Sequence, residues 1–136
     1  MQLNPYLNFN GRCEEAFTFY EQRLGAKIEA VFKFRGAPME AQCPPDWLDK
    51  VMHASISIDG KIVMGSDGIK GAPEEPRGFS LSLGAKDAAE AERLFSALSV
   101  NAIVKMPLQQ TFWAERFGML TDQFGIPWMV SCQPSQ

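Results

Sequence analysis

One order of predicted elements occurs twice along the chain, and this repeat constrains the fold more than any other feature. Each half shows an alternating strand, an amphipathic helix and then three further strands. Residues 75 positions apart also match in type: Glu15 with Glu90, Ala16 with Ala91, Phe19 with Leu94, Tyr20 with Phe95, and Ile28 with Ile103. The repeat predicts an α+β fold made of two tandem βαβββ modules, with eight strands and two main helices.

Glycines and prolines in the middle of the chain separate the two halves. Segment 68–76 contains two of each, which is typical of a loop between structured elements. We therefore expect module one at about residues 1–67, a linker at about 68–76 and module two at about 77–133. Because 136 residues is close to the common size of one domain, both modules are expected in a single domain, 1–136.

Local signals mark several boundaries within the modules. Helical spacing over residues 12–24 predicts the first helix, with Gly25 as its C-terminal stop. The Asp59-Gly60 pair predicts a tight hairpin. Asp87 and Glu90 fit a capping pattern at the start of the second helix, predicted over residues 86–99.

Charge and cysteine content narrow the classes of partner. Thirteen basic and sixteen acidic residues give a net charge of −3, which argues against a nucleic-acid partner and against a polybasic membrane-binding role. We find no apolar run of membrane-spanning length, and we expect no secretory signal at the N-terminus. Three cysteines are too few, and of the wrong parity, for a disulfide framework, so a cytoplasmic location is expected.

Alternation along the strands assigns side chains to two faces. An apolar set should face the helices: Leu3, Leu7, Phe9, Ile56, Ile58, Phe79, Leu81, Leu83, Trp128 and Val130. A more polar set should face the opposite side: Asn4, Tyr6, Asn8, Ser55, Ser57, Ser80, Ser82, Met129 and Ser131. The second set is either the lining of a small-molecule pocket or a solvated sheet face. From the helices, Phe19, Tyr20, Leu94 and Phe95 are expected to be buried against the sheets.

Three motifs resemble a known family over essentially the whole chain. They are Gly11-x-Cys13-x-Glu15-Ala16-x-x-Phe19-Tyr20, Met52-His53-Ala54, and Gly118-x-x-x-Asp122-x-Phe124-Gly125-x-x-Trp128. Together they resemble the PhnB-like subgroup of the vicinal-oxygen-chelate superfamily, which includes glyoxalase I, bleomycin-resistance proteins and extradiol dioxygenases. The resemblance implies an eight-stranded, cup-shaped mixed sheet with helices outside. Some members of the subgroup carry the label 3-demethylubiquinone-9 3-methyltransferase.

The resemblance also implies where a metal would bind, because metal-dependent relatives place His or Glu at four inward-facing positions. Those positions fall near Asn4, Gly65, Gly78 and Met129, and a slip of one residue would bring in Ser66 or Arg77. None of these offers the imidazole or carboxylate that a divalent transition metal needs. We therefore expect no metal site and no cofactor.

The candidate ligand pocket combines the polar face with a few further residues: Tyr6, Asn8, His53, Ser55, Ser57, Ser80, Ser82, Trp113, Arg116 and Met129. His53 is either a pocket donor or general base, or a strand-start histidine bonded to a backbone carbonyl. Trp113, Arg116 and Phe117 either hold an apolar or anionic ligand or pack the core and its rim. Cys13, in the first helical turn, is either an activated thiolate or a buried structural thiol.

The sequence thus predicts a protein that binds a small molecule, without a metal. The alternative is a lyase or isomerase that uses His53 as its acid or base. Methyl transfer is not expected, because the chain has no glycine-rich strand-to-helix turn and no room for a doubly wound domain.

We also expect a two-fold homodimer, because unpaired sheet edges need cover and residues 1–9 carry no charge to repel a partner. Four aromatic residues also favour an interface, because aromatic side chains are enriched at interface cores: Phe32, Phe34, Trp47 and Trp113. Trp47 would be a dimer contact or a cap on the cup. The alternative is a monomer that buries these aromatics itself.

Overall fold

The computed structural model describes residues 1–71 and 75–134. The chain divides into two compact units, Met1–Glu74 and Glu75–Gln136. Residues 72–74 of the predicted linker lie outside the described residues.

The first unit holds one helix and a four-stranded sheet. Its elements are β1 (Tyr6–Asn8), α1 (Cys13–Leu24), β2 (Lys27–Lys33), β3 (Val51–Ile58) and β4 (Lys61–Ser66), with short 3-10 turns at Glu40–Gln42 and Pro45–Trp47. The strand order is β1-β4-β3-β2, in which β1 runs parallel to β4 and the other pairs are antiparallel. Helix α1 packs on β2 and β3.

The second unit repeats this topology. Its elements are β5 (Leu81–Ala85), α2 (Ala88–Leu98), β6 (Ile103–Gln109), β7 (Arg116–Thr121) and β8 (Pro127–Cys132). The order β5-β8-β7-β6, with β5 parallel to β8, corresponds strand by strand to the first sheet. The predicted α+β fold of two βαβββ modules is confirmed, and its eight strands form two mixed sheets of four.

The local boundary signals act as the sequence predicted. Gly25 ends α1 in the left-handed conformation, with φ of 70°. Asp59 and Gly60 both have positive φ, 48° and 81°, as a two-residue hairpin between β3 and β4 requires. The Asp87 carboxylate accepts a hydrogen bond of 2.8 Å from Glu90 N and so caps α2.

The buried side of α1 differs from the prediction at one aromatic. Cys13, Ala16, Phe17 and Tyr20 are buried, at the i, i+3, i+4 and i+7 positions that share one face of a helix. Phe19 lies one position off that stripe and is only half-buried, so its predicted burial is wrong. In its place, Phe17 packs edge-on to Phe9, with ring centroids 5.4 Å apart. Tyr20, Leu94 and Phe95 are buried as predicted.

Two residues of the predicted helix-facing set are exposed. Leu3 is 96% exposed and Phe79 is 46% exposed, because β1 begins only at Tyr6 and β5 only at Leu81. A residue outside the hydrogen-bonded ladder is not held to one face, so alternation in sequence does not place it. The central members of the set are buried: Leu7, Phe9, Ile56, Trp128 and Val130.

The Asp122 motif forms a closed turn between β7 and β8. Asp122 is 4% exposed, and its Oδ1 accepts hydrogen bonds from Phe124 N and Ile126 N at 2.9 and 3.0 Å. Its Oδ2 accepts a bond of 2.8 Å from Trp128 Nε1. This motif, one of those that carry the family resemblance, therefore builds the hairpin, since its carboxylate is fully engaged inside the fold.

Candidate functional site

Strand register defines a face of the first sheet that lies opposite α1. Tyr6, Met64 and Ser55 form one row across β1, β4 and β3, and Asn8 pairs with Ser66. The intervening row, Leu7, Gly65 and Ala54, is buried on the α1 side, where a Cβ on Gly65 would stand 2.7 Å from Phe17 Cζ. We call the surface opposite α1 the open face of module one; it consists of Tyr6, Asn8, Ser55, Met64 and Ser66 with their neighbours Phe32, His53 and Ser57.

Tyr6 and His53 meet on this open face. The Tyr6 hydroxyl lies 2.9 Å from His53 Nδ1, and the two ring centroids are 5.5 Å apart. Phe32 pairs with His53 across β2 and β3, and its ring stacks at 6.5 Å with an interplanar angle of 24°. Burial raises the pKa of the Tyr6 phenol above its ordinary value, although a hydrogen bond from Ser66 opposes the shift. The histidine therefore has a phenol as its side-chain partner, rather than the backbone carbonyl that one hypothesis assumed.

The corresponding face of the second sheet is rich in thioethers and aromatics. Ser82, Met129, Met119 and Met106 form one row, and Gly84, Ser131, Phe117 and Gln109 form the next. Trp113 packs edge-on to Phe117 with ring centroids 5.5 Å apart. Ser80 precedes β5 and lies outside the ladder.

Arg116 does not join the aromatic pair, which corrects the predicted Trp113–Arg116–Phe117 cluster. Neighbouring strand residues point to opposite faces, and Arg116 is directed to the α2 side. Its Nε donates to Glu92 Oε1 on α2 at 3.2 Å, and its Nη1 donates to Glu115 O at 2.7 Å. An Arg116 side chain held in this way does not offer its charge to a ligand on the Phe117 face.

The residues at the four expected metal positions do not fit a divalent metal. Gly65 faces α1, while Asn4 and Gly78 precede their strands. Met129 lies in the methionine row of the second sheet, and Ser66, reached by a slip of one residue, lies on the open face of module one. Neither supplies an imidazole or a carboxylate. Within residues 1–71 and 75–134, no three His, Cys, Asp or Glu side chains come close enough together to hold a metal ion.

Asp67 is a fully buried carboxylate that lies two residues after Gly65, and it organises the start of α1. Its Oδ1 accepts hydrogen bonds from Gly11 N and Cys13 N, both 2.8 Å, and its Oδ2 accepts one of 2.8 Å from Val51 N. The N-cap residue, Arg12, makes no side-chain cap, so a distant acceptor satisfies the helix N–H groups. Sequence reasoning missed this role, although the absence of a capping residue before α1 was a visible signal.

The cysteines divide into two buried thiols and one accessible thiol. Burial, assisted by the nearby Asp67 carboxylate, raises the pKa of Cys13, and burial also raises the pKa of Cys132. Cys13 is therefore the structural thiol of the two hypotheses, because a nucleophile needs the thiolate form. Cys43 is only partly buried.

We expect Ellman's reagent to label only Cys43 rapidly in the native protein at neutral pH. The other two thiols should react only after the chain is unfolded in denaturant. Titration of native and unfolded protein measures both populations, and Cys43→Ser should remove the fast phase. Fast labelling that persists in Cys43→Ser would contradict the burial of Cys13 and Cys132.

A pocket of about 140 Å³ also lies in the first unit. Its lining comes from the loop after β2 and from residues that follow β4, including Phe34, Met39, Cys43, Trp47 and Ile69. Trp47 is buried here and donates from Nε1 to Gly68 O at 2.9 Å, so it is an internal packing residue of this loop. The pocket is well below the ~300–1,000 Å³ of small-molecule sites, and no predicted pocket residue lines it.

Two βαβββ modules define a protein of the glyoxalase/bleomycin-resistance fold. The glyoxalase/bleomycin resistance protein/dioxygenase of Alicyclobacillus acidocaldarius shares this fold, with 13% identity, a TM-score of 0.60, and coverage of 98% of this chain and 93% of that one. The chain belongs to the family described as 3-demethylubiquinone-9 3-methyltransferase, whose model matches residues 1–131. The resemblance to the PhnB-like subgroup of the vicinal-oxygen-chelate superfamily is therefore confirmed.

Relatives of similar length match over the whole chain. Protein YjdN of Escherichia coli K12 is 37% identical over 149 residues, with 100% of both chains covered. The crystal structure of PA1353 from Pseudomonas aeruginosa has 47% identity and a TM-score of 0.89, with 99% of each chain covered. The PhnB protein of Bacillus cereus has the same fold, with 22% identity, a TM-score of 0.81, and coverage of 97% of this chain and 99% of that one.

Proposed function

We propose that the protein binds a small organic molecule on the open face of module one, and that it does so without a metal. The observation that carries this proposal is the Tyr6–His53–Phe32 cluster, in which polar groups and aromatic rings are adjacent and partly exposed. Tyr6 and Phe32 are 53% and 55% exposed, so the cluster presents a contiguous aromatic surface to solvent. Small-molecule sites combine such apolar surface with a few oriented polar groups.

The neighbours of the cluster support a neutral ligand. Ser55 and Met64 continue its surface along the sheet, and neither they nor Asn8 and Ser66 carry a charge. The hydroxyl groups can hydrogen-bond the polar part of a ligand, and the thioether can contact its apolar part. On the second unit, the row of Ser82 and Met129 offers a surface of similar chemistry.

Native mass spectrometry of the protein as isolated tests this function. We expect a small-molecule adduct that is lost on denaturation and reduced at least tenfold in His53→Ala. Lys61→Gln, at the exposed start of β4, is the matched control and should keep the adduct. Elemental analysis of the same sample should find Ni, Zn, Fe and Mn far below one per chain. An adduct unaffected by His53→Ala, or a stoichiometric metal, would contradict the proposal.

The alternative is a lyase or isomerase in which His53 is the acid or base, and the exposed imidazole favours it. Conversion of the isolated ligand to a product, followed by NMR and abolished in His53→Ala, would establish it. Methyl transfer remains outside the proposal because the two βαβββ modules that the structure describes, each with a four-stranded sheet, provide no doubly wound domain and no glycine-rich strand-to-helix turn.

We further propose a cytoplasmic homodimer in which chain 1–136 acts as one domain. Segment 1–9 has no charged side chain and contains the edge strand β1, which is open to a partner. Phe32 and Trp113 are exposed and available to an interface, whereas Phe34 and Trp47 are buried within the chain. The three cysteines are free, as suits a reducing compartment. None of the described helices is long and apolar enough to cross a membrane. Sedimentation at micromolar concentration should give twice the chain mass, and a single species of one chain mass would refute the dimer.

A further inference from the structure

The hydrogen bond between Tyr6 and His53 spans a strand that lies between them. Tyr6 is on β1 and His53 is on β3, and the sheet order places β4 in the middle. Two strand spacings separate the backbones by about 9–10 Å, so the two side chains must extend towards each other across β4 to meet. The small side chain of Ser66, on β4, leaves room for this bridge.

The chemistry of the two groups, rather than their 2.9 Å separation, decides which of them donates in this bond. A neutral imidazole has one N–H and one lone pair, and the partner of one nitrogen sets the proton on the other. Because burial raises the pKa of Tyr6, the phenol keeps its proton across the neutral range. The imidazole lone pair is a stronger acceptor than a phenol oxygen, whose electrons are delocalised into its ring. Tyr6 therefore donates to Nδ1, and the ring proton of His53 resides on Nε2.

Nε2 is the nitrogen that remains for a ligand. Within the described part of the chain, Tyr6 is the hydrogen-bond partner found for the His53 side chain. Phe32 stacks beside the imidazole and provides apolar surface next to the ring. The rows that contain His53 and Ser55 hold no charged side chain, so a charged ligand would gain no ion pair there.

We propose that Tyr6 is a positioning residue that holds His53 as the Nε2–H tautomer, and that His53 donates a hydrogen bond to the carbonyl oxygen of a neutral ligand whose apolar part lies on Phe32. The ligand class in this proposal rests on the proposed function, whereas the tautomer does not. In this state the Nε2–H of neutral His53 is a hydrogen-bond donor that can polarise a carbonyl group. The lone pair of Nδ1 already accepts the hydrogen bond from Tyr6.

A single histidine makes the tautomer directly measurable. In 15N-labelled protein, at a pH where the ring is neutral, long-range proton–nitrogen correlation should show one imidazole with Nε2 protonated and Nδ1 unprotonated. Tyr6→Phe should move the two nitrogen shifts towards each other, because the ring then samples both tautomers. Tyr20→Phe, at the only other tyrosine, should leave them unchanged. An Nδ1-protonated ring in the wild type, or shifts unaltered in Tyr6→Phe, would overturn the positioning role.

The ligand class is tested with a matched pair of probes. Acetophenone should shift the His53 Nε2–H resonance of the wild type, and α-methylstyrene, which has the same shape without the carbonyl oxygen, should not. Equal shifts from both probes, or none from acetophenone, would overturn the carbonyl assignment. The tautomer result is independent of any ligand, so a failure of the proposed function is distinguished from a failure of the Tyr6 role.

Discussion

Replacing Phe17 with Ala should lower the free energy of unfolding by about 3–5 kcal/mol, the usual cost of deleting a fully buried aromatic ring. Phe17 is 0% exposed and packs against Phe9 and Tyr20, with ring centroids 5.4 and 6.3 Å away. Its ring also fills the space above Gly65, where a Cβ would stand 2.7 Å from Phe17 Cζ. The backbone there is in a strand and cannot move in to close the resulting cavity. Urea unfolding followed by circular dichroism measures the loss.

Phe19→Ala is the matched control, since it makes the same deletion two residues away on α1. The Phe19 ring lies beside Tyr20 and under the Arg23 guanidinium, only half-buried, so the expected cost is about 1 kcal/mol. A larger cost for Phe19→Ala than for Phe17→Ala would show that α1 is rotated relative to the packing described above.

Replacing Asp67 with Ala should cost about 3 kcal/mol or more, because three backbone donors, two of them buried, lose their acceptor together. Gly11 N and Cys13 N lie at the start of α1 and Val51 N lies at the start of β3, so one carboxylate joins the helix to the sheet. Its charge also opposes the positive end of the helix dipole. The Ala side chain supplies neither acceptor nor charge, and water has little access to a residue that is 1% exposed.

Asp49→Ala provides the comparison for Asp67, because it removes a carboxylate from an exposed pair with Arg35. Exposed pairs contribute about 0–1 kcal/mol, so this variant should unfold almost as the wild type does. Amide hydrogen exchange gives a second readout, in which Asp67→Ala should release the first turn of α1 selectively. If both aspartate variants lose equal stability, the helix start is held by some other group.

Several side chains of the candidate site could be predicted from the sequence, but their contacts with one another could not. Alternation in sequence correctly grouped Tyr6 with Ser55, because both positions follow from the period of a strand. Arg116 was grouped with Phe117 by residue type and not by alternation, and that grouping is wrong because adjacent strand residues face opposite ways. Likewise, Gly65 was expected to face inward, and a shift of one residue in register reverses the face of every side chain in a strand.

The sequence by itself determined the order of the helices, strands and turns and several of their boundaries. The stop at Gly25, the hairpin at Asp59-Gly60 and the cap at Asp87 each act within one turn of the chain, so local residues suffice to specify them. Tertiary structure alone decided that Asp67 closes a helix 54 residues away in sequence and that Tyr6 reaches His53 across 47 residues. Those partners depend on strand order and register, which are set by packing over the whole module, since any local pattern is compatible with several pairings.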